Sequence, residues 1–526
     1  MKKLSLALLL TLLLSFSFIS LKQNSVEAQS DAPEMTVPNL DVRAAVSNLI
    51  TPISMAFLGT NDFLVLEKNT GKVQRIVNGA VQSTVLDLGV NFASERGLLG
   101  IALHPNFPSN PGVYLYWTCR STALPADPFF PDETRCLDAN MFAADTDEIL
   151  QVPLLGNRVD RFVWNGSSLT FDHNLIMLRA FQNDGAPVPP NQGDEAQPPR
   201  GNHDGGPMRF GPDGKLYLQF GDNGRRGQLQ NLPCGPTANC PGPPQPDDQF
   251  GGPEPDDAHL TGVILRLNPD GTTPTDNPFF AAGAAMSNQE VGRNIQKIYA
   301  YGLRNGFGMD FDPISGDLWE QENGDDSMSE LNRVEAGFNS GWVQIMGPPE
   351  RIDQYKAIET SAENDPCLDT PYFGLQQLRW SPVLIADSAA EALSRLFVLP
   401  GSHYSPPEFT WKFEVSPGGI GFVRGRGLGP QYEGDLFMGG ARPFLEGGHL
   451  FHFNLTGNRR MIGVDDPRLA DRVADNLCKF DITESESLLV GRNFGTVTDI
   501  VSGPNGNLFV VSIDKGSVFE VFRSKQ

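Results

Sequence analysis

The chain of 526 residues is short of basic side chains, with 40 Lys+Arg against 63 Asp+Glu and a formal charge of −23. A surface of that sign is repelled by nucleic acid and by anionic membranes, whereas acidic loops favour solubility and cation binding. Long apolar runs are missing beyond the first, Leu4 to Leu21, so no later stretch predicts a helix across a bilayer. That first run follows Met1-Lys2-Lys3 and reaches the small-x-small stretch Val26-Glu27-Ala28. The pattern predicts a signal peptide over residues 1–28 and export to the periplasm or the medium, with no neighbouring cysteine to carry a lipid. Thiols are few as well: six cysteines, none in a CxxC or Cys/His spacing, which argues against zinc. An even number in an exported chain predicts disulfides instead, Cys119 with Cys136 and Cys234 with Cys240 as local staples, then Cys367 with Cys478 by elimination. Helical periodicity is hard to find anywhere past the leader.

Turn formers are plentiful, 55 Gly and 42 Pro, and they punctuate a recurring hairpin cassette. Each copy is an apolar strand, a turn rich in Gly, Pro, Asp or Asn, a second apolar strand and usually a third. The copies begin near Ile53, Gly97, Met208, Gly306, Gly419 and Val497. A three- to four-strand unit of this kind cannot bury both faces alone, so the repeat predicts an all-β, six-bladed β-propeller as a single domain over residues 29–526. The long insertions, 122–146, 183–199, 228–257 and 351–407, are expected to cover one face. A pair of β-sandwiches is the structural alternative and leaves the recurrence unexplained.

The third copy carries the most chemistry. It runs Arg200-Gly-Asn-His-Asp-Gly-Gly206, a strand at Met208–Phe210, the turn Gly211-Pro-Asp-Gly214, a strand at Leu216–Phe220, then Gly221-Asp222. A hairpin brings its outer ends together, so Asp222 can reach His203, hold one tautomer and leave the other nitrogen to act as a base. An ordinary loop histidine satisfied by a carboxylate is the equal alternative at this point.

These stretches, with Glu95-Arg-Gly-Leu-Leu-Gly-Ile-Ala-Leu-His-Pro-Asn-Phe107, Leu265-Arg-Leu-Asn-Pro-Asp-Gly271, Tyr299-Ala-Tyr-Gly-Leu-Arg-Asn305, Gly337-Phe-Asn-Ser-Gly-Trp342 and Gly503-Pro-Asn-Gly506, resemble the soluble glucose/sorbosone dehydrogenase family. Members are six-bladed propellers that use pyrroloquinoline quinone (PQQ) and calcium. The resemblance implies that His203 is the general base and Asp222 its orienting carboxylate, and that Arg304 and Asn305 contact the quinone. It further implies that Gly324 and Asp325 offer carbonyls to a bridging calcium and that Glu330 ligates a second, structural one, oxygen-rich loops being suited to that ion. Substrate would be a sugar or related polyol, with a separate electron acceptor.

Three positions depart from the family. Thr496-Val497-Thr498-Asp499 stands where an Arg-x-Arg-Asp run is usual, Glu95 where a Gln contacts the cofactor, and Arg442 is the nearest cation to an expected lysine. A quinone with three carboxylates needs fixed cations, so the threonines predict weak cofactor binding. The rival is therefore a non-enzymatic calcium-binding propeller that engages a glycan or a protein. A calcium-dependent lactonase propeller is a third reading, with no motif of its own in the sequence.

Overall fold

The computed structural model describes residues 32–92, 94–119, 156–179, 202–222, 231, 260–287, 289–361, 363–367, 386–440 and 447–525. The expected leader, Arg442, Cys136, Cys234, Cys240 and the insertions 122–146 and 183–199 lie outside those residues.

Almost every expected strand is a strand. Sheet 1 runs through Pro52–Gly59, Asp62–Glu67, Lys72–Val77 and Ala80–Asp87; sheet 2 through Leu98–Leu103, Gly112–Thr118, Gly156–Trp164 and Leu169–Arg179. Sheet 3 is Met208–Phe210, Leu216–Phe220, Val263–Leu267 and Ile298–Tyr301, extended by Phe338–Asn339 and His403–Tyr404. Sheet 4 is Gly308–Phe311, Leu318–Glu322, Ser327–Val334, Phe409–Phe413 and Val473–Ala474. Sheet 5 is Pro417–Phe422, Leu436–Gly440, His449–Thr456 and Leu489–Arg492, with Glu34–Met35 and Met461–Gly463. Sheet 6 is Val497–Ser502, Leu508–Ser512, Ser517–Arg523 and Leu40–Val46.

The described strands thus form six sheets, and the first strand of each touches the first strand of the next until Val497–Ser502 returns to Pro52–Gly59. This is the all-β propeller arrangement expected from the repeat. Glycine allows the inner strands to approach so closely. A Cβ on Gly100 would lie 2.1 Å from the Gly206 carbonyl oxygen, and one on Gly421 would lie 2.2 Å from that of Ile500. Between sheets the contacts are apolar: Leu64, Leu66, Val73, Leu98, Leu115 and Trp117 are fully buried between sheets 1 and 2. Each such side chain stabilises by about 1.5–3 kcal/mol. The ring is closed by Leu40–Val46 pairing antiparallel with Ser517–Arg523, Leu40 opposite Arg523 and Val46 opposite Val518. Cys367 and Cys478 are joined as a disulfide.

Four short helices are described where helical periodicity is hard to find in the sequence. They span Phe280–Ala284, Gln289–Lys297, Ile352–Glu359 and Ala389–Arg395. The last had a local signal, Ser388-Ala-Ala-Glu391, in which the Ser388 side chain accepts from the Glu391 amide.

Candidate active site on the ring axis

In every sheet the first strand starts, and the second strand ends, at the same rim of the ring. The segments just before first strands and just after second strands therefore converge, and they line a cavity of about 500 Å³. Ser94 and Glu95 precede the first strand of sheet 2, His203 to Pro207 that of sheet 3, Arg304 to Phe307 that of sheet 4, Glu414 and Ser416 that of sheet 5, and Thr496 that of sheet 6. Lys68, Asn323 to Asp326 and Ile513 follow second strands. Of the residues singled out in the sequence, Glu95, His203, Arg304, Asn305, Gly324, Asp325, Thr496 and Thr498 meet at this wall.

His203 is buried with φ +57, a left-handed backbone that is uncommon outside glycine. Its amide donates to Glu95 Oε2 at 2.6 Å, which ties that backbone down. Nδ1 lies 2.5 Å from Asp222 Oδ1, and the other oxygen of Asp222 accepts from Trp342 Nε1 at 2.8 Å. Asp222 stands behind the ring, 1 % exposed, so the imidazole is oriented from the protein side and meets the cavity with its other edge. The hairpin inference holds, and Trp342 is the addition it lacked.

Arg304 packs over the Trp342 ring, 5.5 Å from its centroid. Its terminal nitrogens donate to the Asn323 carbonyl and to Asp325 Oδ1, each at 2.9 Å, while Nε is buried without a partner. Asn305 donates to Glu95 Oε2 at 3.3 Å, and its own Oδ1 is likewise buried and unpartnered. Unsatisfied polar atoms in such a wall invite a ligand that supplies the missing acceptor and donor.

Thr496 and Thr498 share the cavity with three cations from other parts of the ring that the sequence reading did not include: Lys68, Arg209 and Lys479. Lys68 Nζ donates to the carbonyls of Ser94 (2.9 Å) and Phe92 (3.3 Å), and burial pushes its pKa down to about 8 against the opposing pull of Glu95. Arg209 crosses from sheet 3 to Asp499 of sheet 6 at 2.6 Å, and Ser54 of sheet 1 donates to the other Asp499 oxygen at 2.6 Å. Four cations (Lys68, Arg209, Arg304, Lys479) thus share the wall with five carboxylates (Glu95, Asp325, Asp326, Glu414, Asp499). Position-by-position reading missed them because each comes from a distant segment. The repeat itself held a signal: Lys68 directly follows the second strand of its sheet, as the cavity-lining Asn323 and Ile513 directly follow theirs.

Glu330 does not line the cavity. It belongs to a buried group with Glu320 and Glu322 on the second and third strands of sheet 4, where Glu322 pairs with Glu330. Asn332 donates to both Glu320 Oε1 (2.8 Å) and Glu330 Oε2 (3.0 Å), Gln219 to Glu320 Oε2 (2.9 Å), Ser340 to Glu322 Oε2 (3.0 Å) and the Gly347 amide to Glu330 Oε1. Desolvation raises Glu320 to about 8 and Glu330 to about 7, and it holds Glu322 well above the usual carboxylate range. Among the described residues the one set of three ligand atoms close enough together for a metal is Asp365 with Cys367 and Cys478, whose sulfurs are bonded to each other.

Comparison with known proteins bears on the fold that carries this cavity. The glucose/sorbosone dehydrogenase family model matches residues 49–127 and 245–384. Quinoprotein glucose dehydrogenase B of Acinetobacter calcoaceticus is 26% identical over 358 residues, which is 66% of this chain and 61% of that one. Aldose sugar dehydrogenase YliI of Escherichia coli is 30% identical over 142 residues, 27% of this chain and 29% of its own length. The chain therefore spans less than two thirds of either relative. Among solved structures, a glucose dehydrogenase-like oxidoreductase of Thermus thermophilus superposes with a TM-score of 0.54 at 23% identity, covering 92% of this chain and all of that one. The PQQ-bound aldose sugar dehydrogenase of Streptomyces coelicolor does so with a TM-score of 0.50 at 20% identity, over 94% and 100%. Those two likenesses speak for the fold. On its motifs and on these matches, the chain is similar to the glucose/sorbosone dehydrogenase family.

Proposed function

We propose that the protein is an exported, PQQ-dependent dehydrogenase of a sugar or related polyol. In this reading its six sheets are the six blades of a single propeller domain that follows a leader at 1–28. The observation that carries the proposal is the Trp342–Asp222–His203 relay ending at a cavity that also holds Arg304 Nε and Asn305 Oδ1, both buried and unpartnered. Those orphan atoms and the surrounding cations suit a flat, acidic, carbonyl-rich ligand, which fits PQQ. Arg304, Asn305 and Lys68 would hold it, with Thr496 and Thr498 adding neutral hydroxyls. When bound, PQQ supplies a two-electron oxidant.

The protein's part is proton handling and placement. Asp222 keeps the Nδ1 proton of His203, so Nε2 takes the proton of the substrate hydroxyl as that carbon is oxidised. The Asp222 carboxylate, hydrogen-bonded at Nδ1, stabilises the imidazolium that results. Arg209 and Asp499 brace the wall by linking sheets 3, 6 and 1. An external acceptor removes the electrons. Calcium is proposed at Glu330, a buried carboxylate that no Lys or Arg side chain among the described residues pairs with; Glu320 and Glu322 are its neighbours, but the three carboxylates do not bring three oxygens around one point. The alternative, a calcium-binding propeller without catalysis, keeps the threonines as its support.

The test is dye reduction by PQQ-loaded protein with aldose substrates. Wild type should reduce the dye, and His203→Gln should lower kcat/KM by about 10²–10⁴, the usual worth of a general base, with unchanged quinone binding. Quinone binding without dye reduction by any aldose would leave the binding-module reading standing.

A further inference from the structure

Lys479 sits where the family resemblance places calcium. Its ammonium donates to the Asp325 carbonyl at 3.3 Å and to Asp326 Oδ1. Arg304 takes the neighbouring Asn323 carbonyl and Asp325 Oδ1. Two tethered single charges therefore occupy four oxygen atoms of the 323–326 loop, leaving Asp325 Oδ2 and Asp326 Oδ2 buried without a hydrogen bond, and together they equal the charge of one divalent ion.

Lys479 is held there by construction. Its amide donates to Asp365 Oδ2 at 3.0 Å, while the Cys367 amide donates to Asp365 Oδ1 at 2.9 Å, and Cys367 is bonded to Cys478, the residue before Lys479. On the other side the Phe480 amide donates to the Glu414 carbonyl at 2.7 Å, and the Glu414 amide donates to the Asp326 carbonyl at 3.1 Å. The ammonium also lies 5.7 Å from the centroid of the Phe480 ring. With Asp325, Asp326 and Glu414 around it, the charge is retained despite burial.

We infer that Lys479 is a built-in replacement for the bridging calcium, and that with the lysine in place the Gly324–Asp325 loop takes no divalent ion. Calcium wants six to eight oxygen ligands, and a loop whose Asp325 carbonyl and Asp326 Oδ1 are already spent on an ammonium falls short of them. Lys479 is thus a positioning residue: it shapes the loop that faces the ligand and supplies charge that the threonines do not. The inference rests on the quinone reading only for the identity of that ligand.

The experiment has two arms. Equilibrium dialysis of EDTA-stripped protein counts calcium ions per chain for wild type, Lys479→Met, Lys479→Gln and Lys479→Arg. The Met and Gln variants should each bind one ion more than wild type, and the Arg variant should match wild type. In the second arm, PQQ binding is followed by fluorescence quenching in EDTA and in calcium. Wild type should hold its affinity in EDTA within about twofold, whereas Lys479→Met should lose tenfold or more and regain it with calcium. Equal ion counts across the variants, or a tenfold loss by wild type in EDTA, overturns the inference. The wild-type arm needs no variant, should both neutral ones fail to fold. If PQQ binds no protein in either buffer, the quinone reading falls and the ion count alone decides the role of the lysine.

Discussion

Asp310 and Glu320 lie on paired strands of sheet 4 and are both buried, yet they are opposite electrostatic cases. Asp310 receives both forks of Arg424 at 2.8 Å, and Arg209 lies 3.9 Å away. Against the cost of burial, those guanidinium groups bring its pKa below the ordinary value. Among the described residues Glu320 is met by the amides of Gln219 and Asn332, and burial raises it to about 8. The lesson is local: where the fold supplies its own cation, a buried carboxylate stays charged, and where it does not, the group waits for a proton or an external ion.

The largest expected effect comes from stripping the supplied cation. Arg424→Met should leave Asp310 buried with the Phe311 and Phe422 amides and a more distant Arg209, at a cost of about 3 kcal/mol, the low end for a broken buried pair because Arg424 is partly exposed. Urea denaturation measures it, and a loss under about 1 kcal/mol would show that Asp310 does not depend on its partner. Next in size is the pH response of the group that lacks a cation. A carboxyl raised from 4.5 to about 7 or 8 binds more protons in the folded chain than in the unfolded one. Its stability contribution is therefore complete below 4.5 and is lost as pH rises through about 7 to 8. In calcium-free buffer Tm should fall across that window. Glu320→Gln with Glu330→Gln should flatten the fall, although Glu359, also at about 8, keeps part of it. Added calcium should restore wild type at the alkaline end and do nothing for the double variant; a wild-type Tm that is level with pH would erase the contrast. The smallest test is Ser340→Ala, which removes one donor from Glu322 and should cost about 1 kcal/mol in the same denaturation assay.

The hairpins could be read from the sequence because strand and turn signals lie within a few residues of each other, as in Met208–Phe210, Gly211-Pro-Asp-Gly214 and Leu216–Phe220. The pairing of His203 with Asp222 followed from the same local geometry. What stayed hidden was everything that depends on the ring. Lys68 and Lys479 are over 400 residues apart in sequence and line one cavity, and Trp342 reaches Asp222 across 120 residues. Nothing local in either stretch encodes such a meeting. Lys68, Arg209 and Lys479 were passed over beside the threonines at 496 and 498 for the same reason: charge had been counted along the chain and not around the axis.

The pairing of Leu40–Val46 with Ser517–Arg523 sets the timing of folding. During synthesis the early strand must wait, unpartnered and partly apolar, until Ser517–Arg523 has left the ribosome, because that segment supplies its hydrogen-bonding edge. Loop-closure entropy is a modest obstacle, about 0.6 kcal/mol for each doubling of length, but contacts so distant in sequence slow the search and keep an adhesive strand edge exposed meanwhile. Intermediates lacking the last strand are accordingly the species most prone to pair with one another, and any nascent chain stalled before Ser517 is a ring that cannot shut.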